Sequence, residues 1–173
     1  MDIIGLGEAG CNLAVCFNKY PQYTTYRIDA GLEGENCFNV RKQRSPEDYE
    51  SNAPNLKDFF SNLGEEVTFI VGGAGYISAM SLAILQQIKN KRVSILYICP
   101  NHKSLTGKKR LLERATFGIL QQYARSGLVE NIDLVSNEKV AAIVGNLPVI
   151  GYYDKINDLI ASTYHFINVF FFF

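Results

Sequence analysis

Two glycine-rich stretches are the part of this sequence best suited to chemistry. The first is GLGEAG at residues 5–10, with the pattern G-x-G-x-x-G, and the second is GGAG at residues 72–75. A turn without Cβ atoms lets backbone N–H groups approach an anion closely, and a following helix adds free amides and the positive end of its dipole. Both stretches therefore predict phosphate binding. A tight strand-to-helix turn that binds nothing uses the same glycines and is the alternative.

Each glycine stretch lies between an apolar strand and a helix. The apolar runs predict strands over 2–6, 24–28, 67–71, 93–99 and 132–136, helices over 9–20, 55–64, 77–90, 106–125 and from about 149 onward, and a long loop over 30–54. The strands are uninterrupted apolar runs, which is typical of a parallel sheet covered on both faces. The predicted fold is a doubly wound α/β domain with a mainly parallel sheet and helices on both faces, in which ligands bind beyond the carboxyl ends of the strands.

Composition narrows the function classes. Seventeen basic and seventeen acidic residues give zero formal net charge, which argues against a general nucleic-acid or anionic-membrane binder. The four cysteines form no CxxC pair and no cluster with histidine, so buried thiols in a reduced cytoplasm are expected, without a metal site. No apolar run reaches the roughly 20 residues that span a bilayer.

Asp29 supports a competing interpretation. It closes the second predicted strand, about twenty residues after the first glycine turn, where a Rossmann domain places the acid that binds the ribose of NAD. An NAD-dependent enzyme is therefore an alternative, but it leaves the GGAG stretch unexplained. Two anion-binding turns at neighbouring strand ends can instead hold one triphosphate from two sides.

Five segments, taken in order, resemble the motifs of the tubulin/FtsZ superfamily. GLGEAGCN resembles the family's first phosphate loop, G-x-G-G-x-G-x-N, and VGGAGYISA lies on its signature loop, G-G-G-T-G-T/S-G. The other three are RIDAG at the family's N-T-D-A segment, CPNHKSLTGKKRLLERATFGI at its P-F-x-F-E-G-R-R segment, and DLVSNEKV at its I-P-N-D-x-L segment. The resemblance covers nearly the whole chain, and order and spacing carry it because no single motif is intact.

The resemblance implies a site for GTP or GDP, with Mg²⁺ as a further candidate. The residues implied in phosphate binding are Gly7, Glu8, Ala9, Gly10, Cys11, Asn12, Gly72, Gly73, Ala74 and Gly75, and those implied at the ribose and base are Asn137, Ile150 and Asp154, with Asp29 as an additional candidate. A carboxylate at residue 154 makes chemical sense, because guanine presents an N1–H and a 2-amino donor side by side. Ile150 occupies the position where the family often stacks an aromatic ring, so Tyr152 or Tyr153 is the alternative.

Three departures from the family pattern bear on function. The second loop continues Gly75, Tyr76, Ile77, Ser78 and so lacks the family's threonine donor. Glu8 places an acid where an anion should bind, which opposes binding unless the carboxylate points away or meets a cation. Arg27 and Ile28 replace the asparagine and threonine before the family's aspartate.

The resemblance also sets the expected extent and activity of the chain. Residues 1–173 correspond to the nucleotide-binding domain with the start of the central helix, about 149–173, and the family's C-terminal domain is absent. Hydrolysis in the family needs acids from a loop after that helix on a neighbouring subunit, so no catalytic residue is assigned. The expected function is guanine-nucleotide binding by a divergent tubulin/FtsZ-like protein that self-associates, and that forms filaments and hydrolyses GTP when complete. A structural or assembly protein that keeps the fold without the nucleotide is the alternative, which Glu8 and Tyr76 filling the pocket would support.

Overall fold

The core of the molecule is a six-stranded sheet in which every neighbouring pair is parallel. A computed structural model of the chain describes residues 1–145 and 150–171. The strands are β1 (Asp2–Leu6), β2 (Thr24–Asp29), β3 (Cys37–Asn39), β4 (Glu66–Gly72), β5 (Arg92–Cys99) and β6 (Asn131–Ser136), in the order β3-β2-β1-β4-β5-β6. The predicted fold class is confirmed, and β1 and β4 are the central pair.

Helices cover both faces of the sheet. They are α1 (Gly7–Val15), α2 (Pro46–Ser51), α3 (Ser81–Gln87), α4 (Gly107–Arg125), α5 (Asn137–Val144) and α6 (Tyr152–Phe171), with short 3₁₀ helices at Cys16–Lys19, Tyr76–Met80 and His102–Ser104. Successive residues of a strand point to opposite faces. Ile3 accordingly packs with residues of α1 and α6, whereas Ile4 packs with residues of α3 and α4. Burial on both sides explains why the strands are continuously apolar.

The loop predicted over 30–54 is wrong in part, because it contains β3 and α2. The start of α2 has a local cause: the Ser45 hydroxyl accepts from the Asp48 amide at 3.1 Å, and Pro46 is the first helical residue. Both are standard signals for a helix N-terminus. The helix α5 was not predicted either, and it begins in the same way, with the Ser136 hydroxyl accepting from the Lys139 amide at 3.3 Å.

The helix predicted over 55–64 is wrong, since residues 57–62 form consecutive turns and the residues on either side have no regular structure. Only one bond has helical spacing, from the Phe60 amide to the Leu56 carbonyl at 2.9 Å, and the Ser61 amide turns back to Asp58 at 3.2 Å. Leu56, Phe60 and Leu63 are nevertheless buried in the core. The apolar spacing thus predicts burial correctly. The backbone does not form a regular helix, and the Leu56 amide instead donates to the Gln87 side chain.

The long helix predicted from about residue 149 begins, within the described residues, at Tyr152. Residues 146–149 lie outside the described ranges. On the α1 side, Lys19 forms an ion pair with Asp158 and donates to the Ser162 hydroxyl at 3.1 Å, and Tyr20 stacks on His165 with ring centroids 3.8 Å apart. Among the described residues, no helix combines the length and apolar character needed to cross a membrane.

Candidate functional site

The first glycine turn is formed by backbone packed directly on backbone. A Cβ atom on Gly5 would lie 2.4 Å from the Gly10 carbonyl oxygen, and one on Gly10 would lie 2.5 Å from the Ile70 carbonyl oxygen. Helix α1 therefore approaches β1 and β4 closely only because both positions lack a side chain. Gly7 begins α1 with φ of +71°, and Leu6 supplies no side-chain cap, so the amides of the first turn remain available to a ligand.

The second glycine turn rests on side chains. Gly72 ends β4, and a Cβ atom on Gly73 would lie 1.8 Å from the Tyr97 hydroxyl oxygen. That hydroxyl donates to the buried Glu113 carboxylate at 3.2 Å. Burial, with the nearby Glu113 charge as the second cause, raises the pKa of Tyr97, so the hydroxyl stays protonated. The Gly73 carbonyl accepts from the Ser78 hydroxyl at 3.2 Å.

The sheet brings the two turns together. Leu6, the last residue of β1, pairs with Val71, the next-to-last residue of β4, so both turns leave the same edge at adjacent strands. Ile77 lies between them: its Cγ2 atom would be 2.6 Å from a Cβ on Gly7 and 3.9 Å from one on Gly75. A buried methyl group thus occupies part of the space between the turns.

A cavity of about 750 Å³ opens between α1 and α6, and we call it the α1–α6 cavity. Its lining residues are Asn12, Val15, Cys16, Asp154, Lys155, Asn157, Asp158, Leu159 and Ser162. Asp158 is already paired with Lys19. The side chains of Asn12 and Asp154 are exposed and that of Asn157 is half-buried, so all three are accessible to a ligand in this cavity.

A second opening, of about 720 Å³, lies at the carboxyl ends of β1, β2 and β3, and we call it the strand-end cleft. Glu8, Asp29, Arg41 and Lys42 line it, so two acids and two cations face the same space. The Asp29 carboxylate accepts from the Ala30 amide at 2.8 Å. Burial raises the pKa of Asp29, and the Glu8 charge raises it further.

The structure joins some of the predicted site residues and separates others. The phosphate candidates at 7–12 and 72–75 are neighbours, and Asp154 shares a cavity with Asn12. Asn137 is the first residue of α5, after the edge strand β6, and does not line this cavity. Ile150 is 93% exposed and does not line it either.

Asn157 lines the cavity, although no sequence motif singled it out as a site residue. It follows Asp154 by three positions and Tyr153 by four, so all three lie along one side of α6. The spacing Tyr-x-x-x-Asn was visible in the sequence, but only the packing of α6 on α1 identifies which side faces the cavity. No three His, Cys, Asp or Glu side chains within the described ranges group closely enough to hold a metal ion by themselves.

Comparison with known proteins finds similarity in the fold and none in the sequence. No protein-family model and no curated protein matches the sequence. Among solved structures, the chain is similar to an empty FtsZ dimer from M. jannaschii, with a TM-score of 0.71 and 16% sequence identity over 92% of this chain and 51% of that one. The chain therefore spans about half the length of that protein and has a tubulin/FtsZ-like fold.

Proposed function

We propose that this tubulin/FtsZ-like domain binds a guanine nucleotide, GTP or GDP, accompanied by Mg²⁺. The observation that carries the proposal is that helix α1 can contact a nucleotide at two places, its phosphates and its base. Its uncapped first turn offers free amides at Gly7, and Asn12 on the same helix lines the α1–α6 cavity with Asp154. Five residues of helix rise about 7.5 Å, a span that suits a nucleotide with its phosphates at one end and its base at the other.

The base would be recognised in the α1–α6 cavity. Asp154 would accept hydrogen bonds from N1–H and the 2-amino group of guanine, and the amide of Asn12 or Asn157 would donate to O6. Adenine reverses this pattern of donors and acceptors and would leave Asp154 unpaired. Tyr153 offers an aromatic ring one turn before Asn157. Ile150 and Asn137 stay outside the proposed contacts.

The phosphates would bind at the two glycine turns. Support comes from the adjacency of the turns and from the free amides at the start of α1. Glu8 opposes an anion by itself, but Mg²⁺ prefers oxygen ligands and usually binds through one or two carboxylates and the substrate phosphates. Glu8 and Asp29 line the strand-end cleft beside the first turn, where a nucleotide-bound cation would offset their charge.

Self-association in the cytoplasm completes the proposal. One solved structure to which the fold is similar is a dimer of FtsZ. We extend this to the present chain: copies associate with one another, and the complete protein forms filaments and hydrolyses GTP. Sedimentation of the chain with and without GTP tests this extension, and sedimentation as a monomer under both conditions would contradict it.

Nucleotide titration is the direct test. Fluorescent GTP, ATP and NAD are titrated into the intact chain with Mg²⁺, and any nucleotide that copurifies is identified by chromatography. We expect GTP to bind about tenfold or more tightly than ATP or NAD, because a carboxylate facing the wrong base edge loses a charged hydrogen bond. ATP binding as tightly as GTP, or NAD binding best, would contradict the proposal.

Two variants connect the affinity to the cavity. Asp154→Ala and Asn157→Ala should weaken GTP and GDP equally, each by about tenfold, since both variants lose contacts with the base and none with the phosphates. Asp58→Ala removes an exposed acid from the turns at 55–64 and serves as the matched control, with no change expected. Unchanged affinity for GTP in both cavity variants would show that the base binds outside this cavity.

A structural or assembly role without nucleotide is the second candidate, favoured by the Ile77 methyl group against Gly7. Glu8 and Tyr76 line the strand-end cleft and leave about 720 Å³ of it open. The variant Ile77→Ala separates the two candidates. Absence of binding by any of the three nucleotides, both in the wild-type chain and in Ile77→Ala, would contradict nucleotide binding and favour the structural role.

A further inference from the structure

A buried tyrosine connects the second glycine turn to helix α4. Tyr97 is fully buried in β5, and its hydroxyl lies directly against the backbone of Gly73. The same hydroxyl donates to the Glu113 carboxylate at 3.2 Å and approaches the Glu113 carbonyl at 3.4 Å. Glu113 is only 4% exposed. The position of Gly73 is thus set by a hydroxyl that a buried carboxylate holds in place.

A second buried connection reaches the same glycine. The Ser78 hydroxyl donates to the Gly73 carbonyl at 3.2 Å and lies 3.3 Å from the Thr116 hydroxyl. Ser78 is 1% exposed and Thr116 is 7% exposed. Thr116 follows Glu113 by three positions, so both side chains leave the same face of α4. Two polar routes from one helix therefore converge on Gly73.

Burial makes this arrangement costly unless the groups are paired. A buried carboxyl group loses its hydration, and the loss is offset only by hydrogen bonds or nearby charges. Besides the Tyr97 hydroxyl, the Nδ1 atom of His102 lies near Glu113, 3.8 Å from its second carboxylate oxygen. The tyrosine that supports the turn thus supplies a hydrogen bond to the buried Glu113 carboxylate.

We propose that Glu113 and Thr116 are positioning residues for the second glycine turn, acting through Tyr97 and Ser78 respectively. Part of this inference rests on the proposed function: the turn so positioned would present its backbone to the outer phosphates of GTP. Neither residue needs to contact the nucleotide. Helix α4 would instead set the distance and orientation of the turn at residues 72–75 relative to the amides of α1.

The first test measures the turn itself, without nucleotide. Tyr97→Phe and Thr116→Val each remove one hydroxyl, and the ¹⁵N–¹H resonance of Gly73 is followed by NMR. Tyr164→Phe and Thr68→Val are matched controls, because these two buried hydroxyls lie 3.3 Å apart on the other face of the sheet. We expect the chemical shift of Gly73 to change in Tyr97→Phe and Thr116→Val and to remain unchanged in the two controls. An unmoved Gly73 resonance in both test variants would overturn the proposal.

The second test distinguishes contacts with the outer phosphates from contacts with the base. Tyr97→Phe, Thr116→Val and Glu113→Ala should weaken GTP by about three- to tenfold, the range for loss of one hydrogen bond, and leave GMP binding unchanged. Glu113→Gln keeps an acceptor for Tyr97 and should restore GTP affinity relative to Glu113→Ala. Equal losses for GTP and GMP would contradict positioning of this turn. If the wild-type chain binds neither nucleotide, the proposed function fails, and the Gly73 resonance still decides the positioning role.

Discussion

The two glycine turns have similar sequences but are held in different ways. In the first, Gly5 and Gly10 allow the backbone of α1 to lie against the backbone of β1 and β4. In the second, Gly73 lies against the hydroxyl of Tyr97, which is a side-chain atom. Backbone in a packed sheet cannot move without disturbing its hydrogen bonds, whereas a hydroxyl is a small, removable group. The first turn is therefore a fixed part of the core, and the second can be adjusted through its neighbours.

Chemical reactivity offers the largest expected effect. The Cys11 thiol, directly after the first glycine turn, lies 3.3 Å from the Gly5 carbonyl oxygen and 3.6 Å from the Ile28 carbonyl oxygen. Burial raises its pKa to about 12. At pH 8 we expect iodoacetamide to alkylate Cys11 on the order of 1,000-fold more slowly in the folded chain than in urea, because the thiolate is the reactive form. Timed alkylation with mass spectrometry measures both rates, and similar rates would show that the first turn opens readily.

The next largest effect tests backbone packing in the first turn. Gly10→Ala should lower the free energy of unfolding by about 3 kcal/mol, because its Cβ would meet the Ile70 carbonyl oxygen and neither strand nor helix can yield. Gly118→Ala is the control: nothing lies within 4 Å of its Cβ position in α4, so a gain of up to about 1 kcal/mol is expected. Urea unfolding compares the two variants, and a small loss in Gly10→Ala would contradict close packing.

A smaller and repairable effect is expected at the second turn. Gly73→Ala should cost about 2 kcal/mol, because the new Cβ meets the Tyr97 hydroxyl oxygen. Adding Tyr97→Phe removes that oxygen and should recover part of the loss, giving a favourable coupling in a double-mutant cycle. Strictly additive losses would mean that the tyrosine hydroxyl does not limit the turn.

The smallest effect concerns charge beside the first turn. Burial raises the pKa of Asp29, so the folded state binds this proton more tightly than the unfolded chain does. The contribution of this bound proton to the free energy of unfolding is fully present below the pKa of Asp29 in the unfolded chain. It is lost as pH rises through the pKa of Asp29 in the folded chain. Asp29→Asn keeps an acceptor for the Ala30 amide and should raise the free energy of unfolding at pH 7 by less than about 1 kcal/mol. The difference should disappear near pH 3, and a loss of stability at pH 7 would contradict this.

The sequence was sufficient for the features that burial determines. Continuous apolar runs located β1, β2, β4, β5 and β6, and each predicted strand overlaps the observed one. Strand β3 has only three residues, too few for a pattern to appear. The short helices α2 and α5 depend on single capping hydroxyls at Ser45 and Ser136, which local sequence records but a search for long apolar patterns overlooks.

The candidate site was predictable only where chain order determines position. Both glycine turns follow central strands, so their adjacency could be inferred from a parallel sheet. Asn157 could not be identified, because its role depends on how α6 packs on α1. The contact of Ile77 with Gly7 was equally hidden, since side-chain packing between distant segments leaves no local pattern.

The central pairing of β1 with β4 also affects how the chain folds. These strands are far apart in the chain, and a parallel pair needs a long crossover connection between its strands. Closing such long loops costs entropy before native contacts compensate for it, which slows folding. Residues from both turns come together through the β1–β4 pairing, so the proposed nucleotide would contact both turns only in the paired sheet. Such a ligand would stabilise the domain by binding the folded state.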